Sequence, residues 1–262
     1  MCYNGSMKTN DILNLMIETE RKASKLMLEA ENIIASSKTD ARNVVTRFDT
    51  AVQEMLVSAY SKACPGAHFF CEESAHPDSL NAAQTFIIDP IDGTMNFVHG
   101  LRHSCISSAY AENGEVCAAA VYNPYADEMY TAVKGGGAFL NGRKISVDNC
   151  GLEGGFVCVG TAPYYADTRD ELFALMRKLY DASLDIRRGG SAELDLCTVA
   201  AGRACFYFEP RLSLWDYAAG ALIATEAGAV CLDLKGRQLP YDESKPGIIC
   251  GGEKAIKEYL SL

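Results

Sequence analysis

The 262-residue sequence lacks any long uninterrupted apolar run. A membrane-spanning helix needs about 20 consecutive apolar residues, and the first ten residues lack the apolar stretch of a secretory signal. Basic residues are also in the minority, since 24 Lys and Arg stand against 34 Asp and Glu. Because nucleic acid backbones attract basic surfaces, we expect a cytoplasmic protein that binds neither membrane nor nucleic acid.

The 11 cysteines are scattered along the chain and form no C-x-x-C pair. Disulfide frameworks are typical of short secreted chains, and structural zinc sites need closely spaced ligand pairs. We therefore interpret the cysteines as small apolar residues in a reducing compartment. The composition, 48% hydrophobic and 22% charged, is that of a globular protein with a substantial core.

Apolar periodicity predicts helices at the start of the chain and strands in its middle. Apolar residues at three- and four-residue spacing predict a helix over residues 11–34, and Asp49 is placed like the N-cap of a second helix. From residue 68 to residue 147, β-rich runs alternate with turn sequences such as Asn113-Gly114 and Asn141-Gly142. The predicted strands are His68 to Cys71, Thr85 to Ile88, Ser104 to Ala111, Val116 to Tyr122, Glu128 to Val133 and Arg143 to Val147. Asn-Gly turns are typical of hairpins, which indicates a largely antiparallel sheet.

After residue 155 the predicted strands and helices alternate, which is the order of a layered α/β unit. The expected fold class is therefore α/β, with an α+β first half and an α/β second half. We place the boundary between residues 1–148, which carry most of the acidic candidates described next, and residues 149–262.

The segment Asp-Pro-Ile-Asp-Gly-Thr, from Asp89 to Thr94, follows an apolar strand. Its two carboxylates would repel each other and take up protons unless a cation held them. Mg²⁺ prefers such oxygen ligands, and the backbone carbonyl of Ile91 can contribute as well. If Gly93 and Thr94 begin a helix, their N–H groups point towards an anion. Taken alone, the segment is equally consistent with a structural acidic turn.

Two other acidic positions favour the metal interpretation. Glu72 and Glu73 directly follow a predicted strand, and Asp216 follows Trp215 at a predicted helix start. Each alone could be an exposed acidic turn or an N-cap. Because the protein is acidic overall, however, a bound phosphate would need a local cation. Together the acidic positions predict a metal-dependent site.

These motifs resemble the inositol monophosphatase family, within the lithium-sensitive, metal-dependent phosphatase superfamily. The resemblance runs from about residue 45 to residue 228 and rests on D-P-I-D-G-T-x-N-F-V-H-G at Asp89 to Gly100 and on W-D-x-A-A-G at Trp215 to Gly220. It implies a layered αβαβα sandwich of the type shared with fructose-1,6-bisphosphatase. It also implies a homodimer, inhibition by lithium and hydrolysis of a small phosphate monoester.

The resemblance implies two or three Mg²⁺ ions in each site. The implied ligands are Glu72, Asp89 and the Ile91 carbonyl for the first ion, and Asp89, Asp92 and Asp216 for the second. Glu72 would also help to hold a third ion through water. The attacking water would be oriented and deprotonated by Glu72 and by Thr94, which is linked to Asp49 in the motif V-T-x-x-D.

The resemblance also implies the substrate contacts. The N–H groups of Gly93 and Thr94 would hold the phosphate, and Gly190-Ser191-Ala192 matches a small-residue segment beside the sugar-like part of the substrate. Glu209 matches an acid that accepts hydrogen bonds from inositol hydroxyl groups, although a surface acid at a strand end is the alternative. An inositol monophosphate is therefore the leading substrate.

Two positions depart from the family pattern. Cys71 stands where members usually have Gly, which leaves the local backbone open, and Cys205 stands where members commonly have Asp near the substrate pocket, which leaves the polyol preference open. Fructose 1,6-bisphosphate, histidinol phosphate and 3'-phosphoadenosine 5'-phosphate remain alternative substrates, the last disfavoured by Met95-Asn96. A non-catalytic protein that keeps the fold is a further alternative, but every implied metal ligand is present.

Overall fold

The structure, a computed structural model, describes residues 7–38, 44–74 and 80–262. Its helices are α1 (Thr9–Leu28), α2 (Arg47–Ala63), α3 (Thr94–Val98), α4 (Arg169–Ala182), α5 (Ala192–Ala200), α6 (Ala218–Glu226) and α7 (Glu253–Tyr259). Its strands are β1 (Ala35–Ser37), β2 (Val44–Thr46), β3 (His68–Cys71), β4 (Gln84–Asp92), β5 (Cys105–Glu112), β6 (Glu115–Asn123), β7 (Glu128–Val133), β8 (Gly137–Leu140), β9 (Arg143–Ile145), β10 (Phe156–Val159), β11 (Asp185–Arg187), β12 (Phe206–Glu209), β13 (Val230–Asp233) and β14 (Ile248–Gly251).

The first large sheet has seven strands in the order β3-β4-β5-β6-β7-β8-β9. Only the pair β3 and β4 is parallel, so the predicted antiparallel sheet is confirmed. Both Asn-Gly sequences form hairpin turns with positive φ at each residue, for example 49° at Asn141 and 75° at Gly142. The strand β8 was not predicted, because its glycine-rich start resembles a loop.

The second large sheet has five strands in the order β11-β10-β12-β14-β13. β10 pairs in parallel with β11 and β12, whereas β14 runs antiparallel to β12 and β13. The chain reaches β11 through α4 and β12 through α5, which is the alternation that the sequence predicted. Parallel neighbours need such crossover helices because their ends lie far apart.

The helices and sheets stack in five layers. α1 and α2 pack on one face of the seven-stranded sheet, and α5 and α6 lie between the two sheets. α4 and α7 contact β10, β11 and β14 of the second sheet. Alternate residues of β5 serve opposite layers, since Tyr110 joins the cluster with α1 and α2 while Ala109 joins the cluster with α5 and α6. The αβαβα sandwich is confirmed.

The seven-stranded sheet ends at Ile145 and the five-stranded sheet begins at Phe156. One buried apolar cluster nevertheless includes residues of β5, β6 and β7 together with α5 and α6. The division at residues 148 and 149 stays a prediction. Among the described residues, no helix is long and apolar enough to cross a membrane.

Two helix boundaries differ from the sequence prediction. α1 ends at Leu28, and Ile34 is 78% exposed, so the last apolar positions of the predicted helix do not continue its buried face. The N-cap of α2 is Thr46, and Asp49 is the third helical residue. Asp49 accepts the backbone N–H of Thr46 at 2.8 Å, which makes a capping box.

Candidate active site

One pocket brings together nearly all the residues that the sequence predicted. The predicted residues that line it are Glu72, Asp89, Ile91, Asp92, Gly93, Thr94, Gly190, Ser191, Ala192, Glu209 and Asp216. Asp49 lies one contact behind this lining, next to Thr94. The pocket lies where the C-terminal end of β4 meets the start of α5 and the turn before α6.

The end of β4 departs from regular pairing, and this departure positions its acids. The register of β4 against β5 shifts between Asp89 and Asp92, where Pro90 cannot donate a ladder hydrogen bond. Asp89 accepts the N–H of Ile91 at 3.0 Å, and Gly93 then turns the chain with φ of 86° to begin α3. The local sequence therefore directs two carboxylates to the end of one strand.

The turn at Gly93 packs against the loop before α5. A Cβ atom at this position would lie 3.1 Å from the carbonyl oxygens of both Gly190 and His103. Asn96 in α3 donates from Nδ2 to His103 at 2.7 Å and to Gly189 at 2.9 Å. These contacts join the two parts of the chain at the pocket floor.

A buried chain of hydroxyl and carboxyl groups runs from α2 into the pocket. Thr46 Oγ1 and its backbone N–H both contact Asp49 Oδ2, at 2.5 and 2.8 Å. Thr94 Oγ1 lies 3.3 Å from Asp49 Oδ1 and 3.1 Å from the Ile91 carbonyl, so the hydroxyl can donate to either. Burial raises the pKa of Asp49, which makes its carboxylate a stronger base than an exposed one.

Lys38, next to β1, interacts with the acids that follow β3. Its Nζ donates to Glu72 Oε1 at 2.9 Å and also to Glu73. Burial lowers the pKa of Lys38, but the charge of Glu72 and the hydrogen bonds with both acids outweigh that effect, and its pKa is raised. Burial and the charge of Glu72 raise the pKa of Glu73 to about 7.

The carboxyl groups in the pocket disturb one another strongly. Burial raises the pKa of Asp89, and the charges of Glu72, Asp92 and Asp216 raise it further. Burial likewise raises the pKa of Asp92 to about 6, although hydrogen bonds from Ser191 and from the backbone of residue 193 lower it. Burial and the charges of Glu72 and Asp92 raise the pKa of Asp216. Without a cation, this cluster favours protonated forms.

The donor set has the chemistry that a hard divalent cation requires, since all its members are oxygen groups that repel one another. Within the described residues, no three His, Cys, Asp or Glu side chains are already gathered as a metal-binding group. Glu72 is turned towards Lys38, Asp92 towards Ser191, and Asp216 accepts the N–H of Ser213 at 2.7 Å. Ligation of a metal ion by this set would require side-chain rotations that exchange these hydrogen bonds for metal contacts.

The second part of the chain supplies a polar wall. Ser191 is the N-cap of α5, and its hydroxyl donates to Asp92 Oδ2 at 2.5 Å. Glu209, at the end of β12, accepts from Tyr207 at 2.6 Å and from the N–H of Ala162 at 3.0 Å. These two bonds hold the Glu209 carboxylate at the pocket, where it is buried rather than exposed.

The pocket also contains residues that the sequence analysis missed. They include all the charged ones, Lys38, Arg188, Asp195, Arg211 and Lys245, and also Tyr164. Lys38 precedes the part of the chain that carries the family resemblance, so no motif marked it. The pair Arg187-Arg188 directly before two glycines was a possible signal for Arg188, because glycine lets a ligand approach the backbone closely.

The two departures from the family pattern have different outcomes. Cys71 is the last residue of β3 and has no positive φ, so its side chain brings no backbone strain. Cys205 is buried beside Gly155, and its N–H donates to the carbonyl of Phe156 at 2.9 Å. Among the described residues that line the pocket Cys205 is absent. The side chain that replaces the family's usual Asp therefore lies outside the described pocket lining.

Comparison with known proteins identifies relatives of this chain. A profile described as "Inositol monophosphatase family" matches residues 8–261. The chain is 36% identical to the inositol-1-monophosphatase of Rhizobium meliloti, over 97% of both proteins. It is also 36% identical to the Nus factor SuhB of Pseudomonas aeruginosa, over 95% of this chain and 94% of that protein. The crystal structure of extragenic suppressor protein suhB from Bartonella henselae matches with a TM-score of 0.89 and 32% identity, over 96% of this chain and 97% of that one.

Proposed function

The chain belongs to the inositol monophosphatase family, and on that premise we propose that it hydrolyses a small phosphate monoester with Mg²⁺. The proposal rests on four carboxylates that come from three separate segments of the chain and line one pocket. They are Glu72, Asp89, Asp92 and Asp216. When bound, Mg²⁺ lowers the pKa of a coordinated water and neutralises charge on the phosphoryl oxygens.

Each carboxylate has a proposed place in the metal site. Glu72, Asp89 and the Ile91 carbonyl would hold one ion, Asp89, Asp92 and Asp216 a second, and Glu72 would support a third through water. Because the four acids repel one another, cation binding would relieve an unfavourable interaction that burial makes worse.

The proposed base is the pair Thr94 and Asp49, acting with Glu72. Thr94 accepts a proton from the attacking water as its own hydroxyl proton passes to Asp49, whose pKa burial raises. The water oxygen bonds to phosphorus, the bond from phosphorus to the alcohol oxygen breaks, and the leaving alkoxide takes a proton from solvent water. The proton held by Asp49 returns to the solvent and restores the base. The products are the free alcohol and inorganic phosphate, with no phosphoenzyme.

The substrate contacts favour a polyol phosphate. Glu209 is held at the pocket by Tyr207 and Ala162, and a carboxylate there accepts hydrogen bonds from neighbouring hydroxyl groups. Gly93 and Thr94 lie at the start of α3, so their N–H groups have no partner within that helix. We assign these N–H groups to the phosphate. Gly190, Ser191 and Ala192 form the adjoining wall. We propose inositol monophosphate as the substrate.

A steady-state panel tests the substrate. Phosphate release with Mg²⁺ is measured for inositol 1-phosphate, fructose 1,6-bisphosphate, histidinol phosphate and 3'-phosphoadenosine 5'-phosphate, with and without lithium. We expect the highest kcat/KM for the inositol phosphate and inhibition by lithium. A clearly higher kcat/KM for fructose 1,6-bisphosphate than for every inositol phosphate would make the substrate assignment wrong.

Replacing Asp92 tests the chemistry separately from the substrate. Asp92→Asn should abolish Mg²⁺-dependent phosphate release while circular dichroism shows a folded protein. The reason is that the neutral amide replaces the anionic carboxylate of a proposed metal ligand. The matched control is Asp170→Asn, in the exposed first turn of α4, which should retain full activity. Unchanged turnover in Asp92→Asn would remove this pocket from consideration.

A second candidate function follows from the relatives whose name is Nus factor SuhB. In that case the chain acts by binding a partner, and phosphate release is not its role. The same Asp92→Asn variant separates the two: a binding function survives the substitution, whereas an enzymatic function does not. We also propose a homodimer, which light scattering of the purified protein tests.

A further inference from the structure

Glu193 is a fully buried carboxylate behind the pocket wall. It is the second residue of α5 and has 0% exposed surface. Its neighbours Ala192 and Asp195 belong to the described pocket lining, but Glu193 does not. Burying a carboxylate costs free energy unless hydrogen bonds replace those of water, so its partners identify what it does.

Both carboxylate oxygens of Glu193 accept backbone N–H groups at the start of α6. Oε1 accepts from Ala219 at 3.3 Å, and Oε2 accepts from Gly220 at 2.5 Å. The first N–H groups of a helix have no partner within the helix and carry partial positive charge. Asp216, a proposed metal ligand, lies only two residues before α6 begins. Glu193 therefore anchors the helix that directly follows this ligand.

The backbone of Glu193 contacts a second proposed ligand. Its N–H donates to Asp92 Oδ2 at 2.8 Å, next to the bond from Ser191 to the same oxygen. One residue thus contacts Asp92 through its main chain and the segment after Asp216 through its side chain.

Close packing leaves the carboxylate little freedom. A Cβ atom at Gly220 would lie 2.5 Å from Glu193 Oε2 and 2.7 Å from Leu196 Cβ. The two helices approach this closely only because residue 220 is glycine, and the approach brings its N–H to the carboxylate. Movement of the carboxylate would therefore move the start of α6.

We propose that Glu193 is a positioning residue, which fixes Asp216 relative to Asp92 and so sets the affinity of the site for Mg²⁺. The inference rests on the proposed metal-dependent function. Outer partners of metal ligands typically contribute about 10- to 100-fold to metal affinity or activity. The side chain of Glu193 does not line the described pocket, so its effect falls on Mg²⁺ binding and kcat rather than on KM.

Glu193→Gln keeps the size of the side chain but presents an NH₂ group to a backbone N–H, which breaks one of the two bonds. Glu193→Met removes both bonds at similar volume. The matched control is Glu226→Gln at the other end of α6, where the carboxylate also accepts two backbone N–H groups, from Gly135 at 2.7 Å and Gly137 at 2.8 Å. The control lies outside the described pocket lining.

Mg²⁺ binding to each substrate-free protein is measured by calorimetry, together with the metal-free melting temperature, kcat and KM. We expect Glu193→Gln and Glu193→Met to weaken Mg²⁺ binding about 10-fold or more, with a similar loss of kcat and an unchanged KM. Both variants should stay folded without metal, with melting temperatures lowered by several degrees by the cost of the unpaired N–H groups at the start of α6. Glu226→Gln should bind Mg²⁺ normally.

Unchanged Mg²⁺ affinity in the Glu193 variants would overturn the positioning role, and so would loss of folding in both of them, since that would assign the carboxylate to the fold. Failure of the proposed function gives a different result: the wild-type protein itself would bind no Mg²⁺ and release no phosphate. The two failures are therefore distinguished by the wild-type titration.

Discussion

At the scale of single residues, Asp49 combines two uses of one carboxylate. One oxygen accepts the Thr46 N–H and hydroxyl, which completes the cap of α2, and the other faces Thr94 in the pocket. A helix start is thereby connected to the proposed proton acceptor. The fixed end of α2 means that Asp49 is held in place before any substrate binds.

Thr94→Ala should lower kcat about 100-fold, because general base assistance typically contributes a factor of this order or more. Thr94→Ser keeps a hydroxyl beside Asp49 and should retain most of the activity. Steady-state phosphate release at saturating Mg²⁺ measures both variants. Equal activity in Thr94→Ala and the wild type would exclude Thr94 from proton transfer.

The residues that the sequence could predict are those whose chemistry is contained in a local motif. Asp89 and Asp92 follow an apolar strand, and their carboxyl groups line the pocket as expected. Lys38 and Glu193 could not be predicted, because the role of each depends on a contact with a residue distant in sequence. Lys38 contacts Glu72, and Glu193 contacts Gly220. Such contacts exist only once the layers have packed.

At the scale of elements, the short helix α3 joins the two parts of the chain. Gly93 provides its left-handed start, and Asn96 bonds across to the loop before α5. The helix has five residues, too few to be stable alone. Its conformation therefore depends on these contacts, and the pocket floor depends on its conformation.

Gly93→Ala and Gly100→Ala separate backbone strain from packing. Both positions have positive φ, 86° and 66°, but a Cβ atom at Gly93 meets two carbonyl oxygens at 3.1 Å whereas one at Gly100 meets nothing within 4 Å. We expect about 1 kcal/mol of destabilisation at Gly100 from conformation alone, and about 1 to 3 kcal/mol more at Gly93 from overpacking.

Urea unfolding followed by circular dichroism measures these two variants, with phosphate release as a second readout. Gly93→Ala should lose most of its activity, because relieving the contact between the new Cβ atom and the two carbonyl oxygens displaces the residues around Thr94. Gly100→Ala should keep its activity. Equal destabilisation of the two variants would contradict the packing argument.

The elements that the sequence predicted well are those with a clear period and defined ends. β3 and β7 have the predicted bounds, His68–Cys71 and Glu128–Val133. β8 begins with Gly137, and its pairing with β7 comes from the sheet rather than from local preference. The end of α1 was placed too late because apolar residues continued beyond the last turn.

At the scale of the whole molecule, the acidic cluster couples stability to pH. Burial raises the pKa of Asp92 to about 6, from a value of 3.8 expected without the fold. Between these values the folded protein binds more protons than the unfolded chain, so stability falls as pH rises. The contribution of the protonated acid is complete below about pH 4 and is lost as pH rises through about 6.

Metal-free protein in a chelator should therefore show a pH-dependent difference from Asp92→Asn. At pH 4, where most of that contribution remains, the two proteins should have similar melting temperatures, and at pH 8 the variant should melt higher by a few degrees, at about 2 to 4 °C per kcal/mol for a protein of this size. Added Mg²⁺ should raise the wild-type melting temperature more at pH 8 than at pH 5, because protons compete with the metal. A pH-independent difference would show that Asp92 is not perturbed by burial.

The distribution of the acids along the chain also fixes when the site can first exist. Asp92 and Asp216 are separated by 124 positions, which a ribosome takes roughly 6 to 25 seconds to translate at about 5 to 20 residues per second. Throughout that interval Asp89 and Asp92 have been synthesised, but the segment that contains Asp216 has not. The proposed metal site is therefore complete only after synthesis has passed α6, and a chain that ends earlier lacks one of its four acids.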